Sequence, residues 1–232
     1  IQDDEILKNI ASFFPNKIYL VGGSVRDCFL GKDTFDRDLI VTDEDAGIFS
    51  QKVAEFFDGK FIPLDEENKI YRVVLKDKKN YLDITNPIEN SIEKDLFRRD
   101  LTINAIAVNI KSGEILDLVG GVKDIQSKTI RGIKDFNFED DPLRILRVFR
   151  FYSILGFEID SHLLEVVKNL KDSVLQPAKE RIEYELMKLF EGKYADSALL
   201  KMDECEILNK LFTFFEELKQ VPPNFHDNLE LF

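Results

Sequence analysis

Residues 17–40 read KIYLVGGSVRDCFLGKDTFDRDLI. The first seven form an apolar, β-branched run that closes on Gly22 and Gly23, which predicts a strand ending in a tight turn. Residues 24–30 then continue as the start of a helix, and residues 37–42 (RDLIVT) predict a second strand. Asp36 and Asp38 stand two residues apart at its start. Side chains at i and i+2 share one face of a strand, so both carboxylates converge on one spot. Two like charges that close are costly unless a cation sits between them. Mg²⁺ takes hard oxygen ligands together with phosphate oxygens, and paired metals can clamp both oxygens of a displacement. Taken alone, D-x-D also describes an ordinary solvated strand end.

The turn ahead of it adds a second chemistry. Small residues at Gly22, Gly23 and Ser24 let backbone N–H groups approach a phosphate, and a helix N-terminus favours negative charge. Arg26 offers a planar fork for phosphate oxygens.

Outward from this stretch, residues 46–57 place Ile48, Phe49, Val53, Phe56 and Phe57 at helical spacing. Strand-like runs follow at 60–63, 70–75 and 81–85, with a hairpin loop at 77–80 (DKKN). A second hairpin is predicted from 105–110 and 114–118 around Ser112 and Gly113. Helical patterns take over at 142–155, 162–170, 178–190, 194–202 and 208–218. The fold class is therefore α+β, with a mixed-sheet segment over 1–135 and an all-helical remainder. The chain opens at Ile1 and its helical part stops at Phe232, so it is expected to be a piece of something longer.

Bulk composition narrows the class. The 232 residues are 44% hydrophobic, with 20 Phe and no Trp, ample for a sizeable core. No apolar run approaches the roughly 18 residues of a membrane span, so no membrane partner is expected. Cys28 and Cys205 fit neither a metal nor a disulfide spacing and read as reduced thiols, which suits the cytoplasm. A net charge of −12 argues against a nucleic-acid partner. The acidity is uneven, though: it crowds 3–5, 43–45 and 135–141, while Arg98 and Arg99, and Arg144, Arg147 and Arg150, form local basic strips.

Further motifs sit in order along the chain. Arg98-Arg99-Asp100-Leu101-Thr102-Ile103-Asn104-Ala105 joins planar donors suited to a triphosphate with groups that can bond a ribose hydroxyl. Asp117-Leu118-Val119-Gly120-Gly121-Val122-Lys123-Asp124 permits a sharp turn and could serve as a hinge. Asp140-Asp141-Pro142-Leu143-Arg144 makes a helix start with Asp141 at the N-cap and Pro142 in the first turn, so Asp141 and Arg144 project to one side. Arg144 can donate to N3 and O2 of cytosine or N1 of adenine, while Asp141 accepts from either exocyclic amine. Uracil and guanine present the wrong pattern on that edge.

Together these residues resemble the polymerase-β-like nucleotidyltransferases, and more narrowly the class II tRNA nucleotidyltransferase and bacterial poly(A) polymerase family. The resemblance rests on GG-x-VRD at 22–27, the D-x-D at 36–38, RRD-x-T-x-NA at 98–105, DLVGG at 117–121, ED-x-x-R with Asp140 in place of Glu, and ERI-x-x-EL at 180–186. It implies a catalytic head (1–135), a base-recognising helical neck (136–195) and the start of a body (196–232). It implies catalysis by Asp36 and Asp38 with Mg²⁺, a third acid at Asp83, ribonucleotide binding by Arg99, Asp100 and Asn104, and base reading by Asp141 and Arg144. Arg147 joins the nucleotide-binding set and Arg181 supports it from the following helix. The implied reaction adds C and/or A residues from CTP and ATP to tRNA 3′ ends.

Residues 59–63 (GKFIP) lack the double arginine of gamma-proteobacterial poly(A) polymerases, which favours tRNA end-addition over poly(A) synthesis. A non-catalytic RNA- or nucleotide-binding module is the alternative of a different class. His226-Asp227 invites a phosphohydrolase reading, but His162 is the only other histidine, too few for that metal site.

Overall fold

The computed structural model describes residues 4–32 and 36–212. Two compact units divide between Lys134 and Asp135.

The first unit opens with α1 (Glu5–Phe13), which the sequence reading left unassigned. The Asp4 carboxylate caps it, accepting from the Ile6 and Leu7 N–H groups at 3.0 and 3.1 Å. There follow β1 (Ile18–Val21), α2 (Gly23–Phe29), β2 (Asp36–Val41), α3 (Ala46–Phe56), β3 (Lys60–Asp65), β4 (Ile70–Val74), β5 (Tyr81–Thr85), α4 (Ile92–Phe97), β6 (Ile106–Asn109), β7 (Ile115–Asp117) and α5 (Gly121–Ser127). The seven strands form one sheet in the order β3-β4-β5-β2-β1-β6-β7. Every neighbouring pair is antiparallel except β2 and β5, whose parallel register sets Asp38 beside Asp83.

That single parallel pair creates the site. A parallel connection needs a long crossover, here α3 with the β3–β4 pair, and it brings the starts of two strands side by side. Alternation then divides the sheet. Leu39, Val73, Leu82 and Ile84 are buried, and α3 packs across β2, β3, β4 and β5 with Phe49 fully enclosed. Removing a ring enclosed like that of Phe49 costs about 3–5 kcal/mol.

The DLVGG turn is pinned. Asp117 caps α5 through the Gly121 and Val122 N–H groups at 2.8 and 2.9 Å, and a Cβ on Gly121 would lie 2.2 Å from the Thr102 carbonyl oxygen. Asp124 binds the Thr102 hydroxyl at 2.5 Å and Arg131 at 2.7 Å. The glycine that the sequence suggests as a hinge is thus required by close backbone contact.

The second unit is helical: α6 (Phe136–Asp140), α7 (Leu143–Leu155), α8 (Ser161–Asn169), α9 (Lys179–Phe190), α10 (Ala195–Glu204) and α11 (Leu208–Leu211). Helix α7 forms the centre, with Ile145, Leu146, Val148 and Phe149 buried against α9 and α10. It stops at Gly156, whose positive φ of 63° lets the chain turn where Tyr194 leaves no room for a side chain. The helix expected over 208–218 is described only as far as Leu211; residues 213–218 and His226 lie outside the described residues. No helix among the described residues is long and apolar enough to cross a membrane.

Candidate active site

At the centre, Asp36, Asp38 and Asp83 each present a carboxylate oxygen within 4.8 Å of the others. Their burial differs: Asp36 is exposed, while Asp38 and Asp83 are half-buried. Burial pushes the Asp38 carboxyl up to about 6, with the neighbouring Asp36 charge adding to it and Arg99 opposing. Asp36, though the most exposed of the three, is also raised, by partial desolvation of its carboxylate and then by the Asp83 charge. Three hard-oxygen donors this close, with Asp36 and Asp38 both held above the usual carboxylate range, form a site that a divalent cation would relieve.

Arg72 is a neighbour the sequence reading missed. Its Nε and Nη2 donate to the two Asp83 oxygens at 2.7 and 2.6 Å, and its guanidinium lies 4.1 Å from the Tyr81 ring centroid. The bond to Asp83 holds the guanidinium even more firmly protonated than usual. A signal existed: a hairpin turning at residues 77–78 sets position 72 opposite position 83, and the observed register does so.

Beside the carboxylates lies the glycine turn. Gly22 adopts φ 73° and ψ −138°, a conformation open essentially to glycine alone. Ser24 is buried, and its hydroxyl donates to the Asp36 carbonyl at 2.6 Å, tying α2 to the strand that carries the acids. Arg26 is buried too. Its Nη1 donates to Asn104 Oδ1 at 2.7 Å, and Nε and Nη2 hold Asp27. Both residues expected at a phosphate are thus anchored, Ser24 to the strand that carries the acids and Arg26 to Asn104 and Asp27.

Arg99 is half-buried, with Nη1 donating to the Asn104 carbonyl at 3.1 Å and Nη2 to Asp95 at 3.0 Å. Asp95 is buried and was also missed, although its i,i+4 spacing to Arg99 on α4 was visible. Asp100 is buried and caps its own turn through the Leu101 N–H at 2.8 Å. Asn104 is buried with its Nδ2 lacking an acceptor, a group that ordinarily costs about 1–3 kcal/mol to leave unbonded.

Within the helical unit, Asp141 has extended backbone and accepts from the Leu143 N–H at 3.4 Å, so it caps α7 with Pro142 behind it. Arg144 Nη1 donates to the Asn137 carbonyl at 2.9 Å and its Nε stands 3.8 Å from Asp141. Arg181, from α9, reaches Asp141 at 3.2 Å. Buried Glu185 draws in Arg147 at 3.7 Å and Arg150 at 3.2 Å. Asp141 and Arg144 are thereby held from both sides.

Comparison with known proteins settles the family. Residues 18–131 match the poly(A) polymerase head domain, and residues 156–220 match the family described as the probable RNA and SrmB-binding site of polymerase A. The chain belongs to the tRNA nucleotidyltransferase and poly(A) polymerase family. A CC-adding tRNA nucleotidyltransferase of Geobacter sulfurreducens is 36% identical over 194 residues, covering 84% of this chain and 45% of the relative. A CCA-adding enzyme of Leuconostoc citreum is 34% identical over 221 residues, covering 91% of this chain and 54% of the relative. The Thermotoga maritima CCA-adding enzyme complexed with tRNA superposes with a TM-score of 0.81 at 30% identity, over 90% of this chain and 51% of its own. The chain thus spans about half the length of these relatives. The family head is the α+β nucleotidyltransferase fold that the sequence implied.

Proposed function

We propose that the chain is the catalytic part of a template-independent tRNA nucleotidyltransferase that adds C and/or A residues from CTP and ATP to tRNA 3′ ends, releasing pyrophosphate. The observation that carries this is the convergence of Asp36, Asp38 and Asp83 within 4.8 Å beside Arg99. A binding module has no use for three converging carboxylates, two of them held above the usual carboxylate range. The names of the relatives, CC-adding and CCA-adding, support tRNA over other acceptors.

In this reading the first unit carries the chemistry and the second reads the base, with the segment after residue 195 beginning the body. The RNA 3′-hydroxyl attacks the α-phosphorus of the nucleotide. Asp36 and Asp38, with Asp83 adjoining, would hold Mg²⁺, which when bound neutralises developing charge and acidifies the attacking hydroxyl. Arg99 sets positive charge at the turn of Gly22 and Gly23, where the phosphates lie. Asp100 and Asn104 serve the ribose, with Arg26 fixing the Asn104 amide through its oxygen. Asp141 and Arg144 accept and donate along the base edge, and Arg181 and Arg147 keep that pair and its helix in place. The reaction carries a cytoplasmic location with it.

The deciding experiment is single-nucleotide extension by the complete protein on tRNAs ending at the discriminator base, at C and at CC, each NTP offered separately with Mg²⁺. Incorporation of C and A that stops at the third position gives CCA addition. Stopping at CC, or A alone on CC, gives a split activity. Long A tracts on any RNA would mean poly(A) polymerase, and no incorporation would mean a binding module.

A further inference from the structure

Among the described residues, α3 covers one face of the β4–β5 pair, and the side chains on the other face are only partly buried. Val73, Leu82 and Ile84 fill the covered side, so by alternation Arg72, Val74, Tyr81 and Asp83 stand on the other side, and none of these is fully buried. The register places Tyr81 beside Asp36 and Arg72 across from Asp83. Asp83 accepts from Arg72 Nε and Nη2 at 2.7 and 2.6 Å, a bidentate pair that fixes the orientation of the guanidinium plane. That plane lies over the Tyr81 ring at 4.1 Å, and 33% of the Arg72 side chain is accessible. A flat, cationic, aromatic layer therefore adjoins the carboxylates.

The direction of the reaction says what belongs there. Gly22 and Arg99, which flank the phosphate position, stand on the β1 side of the acids. Displacement at phosphorus sets the attacking and leaving oxygens roughly in line, so the nucleophile approaches from the opposite side. Across β2 from β1 lies β5, and then β4.

We infer that the face of β4 and β5 opposite α3, layered from Tyr81 and Arg72, is the subsite for the terminal nucleotide of the acceptor RNA, whose base stacks on it. This rests on the nucleotidyl-transfer reading above. Every base has a π-face, so stacking on an aromatic or guanidinium plane tolerates any base. Such tolerance suits an acceptor whose last nucleotide changes with each addition. Selection is left to the incoming nucleotide.

The test uses the full-length protein with Tyr81→Leu, which removes the ring, Tyr81→Phe, which keeps it, and Arg72→Lys, which keeps a cation at Asp83 and removes the plane. Initial rates give separate KM values for a tRNA acceptor and for the nucleotide. In parallel, an acceptor carrying 2-aminopurine at its 3′ end reports stacking by fluorescence quenching without any turnover. Tyr81→Leu and Arg72→Lys are expected to raise the acceptor KM roughly ten-fold or more, the loss of one base stack, leave the nucleotide KM in place, and relieve the quenching. Tyr81→Phe recovers acceptor affinity relative to Tyr81→Leu. Unchanged acceptor KM and quenching in Tyr81→Leu, or a change confined to the nucleotide KM, overturns the subsite while the transferase reading stands. Wild-type protein that incorporates nothing overturns the transferase reading, and the quenching then decides the subsite by itself.

Discussion

Asp38 and Arg99 face each other across Gly22: a Cβ built on that glycine would lie 3.2 Å from Asp38 Oδ2 and 3.1 Å from Arg99 Nη1. One residue without a side chain thus lets an acid and a cation, far apart in sequence, approach the same backbone turn. Arg99 in turn restrains the pKa that burial and Asp36 push upward on Asp38.

Gly22→Ala should therefore act twice. The backbone conformation at φ 73° and ψ −138° costs an alanine about 1–3 kcal/mol, and the new methyl crowds Arg99 and Asp38. Thermal melting is expected to fall and the nucleotide KM to rise. Wild-type values for both would show that the turn tolerates a side chain.

Asp38→Asn tests the electrostatics of the site through stability. The folded pKa of about 6 exceeds the ordinary value of 3.8, so the folded state favours the protonated form. The native contribution of Asp38 is present below pH 4 and is lost as pH rises to about 6. In metal-free protein the asparagine variant should be more stable than wild type by about 1–3 kcal/mol at pH 7.5, and equal to it near pH 4. Denaturant titrations at the two pH values measure this, and a difference independent of pH would rule out titration as the cause.

Asp36→Ala should reduce incorporation to background while leaving nucleotide binding measurable, because Gly22, Arg99 and Asn104 are untouched. Extension assays and equilibrium nucleotide binding on the same preparation provide the comparison. Retained incorporation would remove Asp36 from catalysis.

Arg144→Ala should blur the choice among the four nucleotides, by about 1–3 kcal/mol of discrimination. Arg181→Ala frees Asp141 from its 3.2 Å partner and should weaken selection less than loss of Arg144 itself. Competition between CTP and UTP in single-turnover extension reads both. Equal selectivity in all three proteins would mean that the base is chosen elsewhere.

Much of the site was legible because its chemistry is local in sequence. The D-x-D pair needs only strand alternation to converge, the glycine turn only its own backbone, and Asp141 with Arg144 only one helical turn. Residues that act across strands were less legible. Arg72 and Asp83 are 11 apart, and the pairing becomes visible only once the hairpin register is fixed. The same holds for Arg26, whose bond to Asn104, 78 residues away, no local pattern announces.

By itself, the sequence determined the α+β head, the change to helices near residue 135, the family, and the identity of the acids and arginines, because alternation, helical spacing and motif order are properties of the chain. Tertiary structure alone decided how deeply each of those groups is buried and which partner it bonds. Ser24 is bonded to the Asp36 carbonyl and Arg26 to Asn104, Gly121 lies against the Thr102 carbonyl, and Asp83 is paired with Arg72. Burial and partner choice depend on which strands lie side by side, and the parallel contact of β2 with β5 joins segments that no local pattern connects.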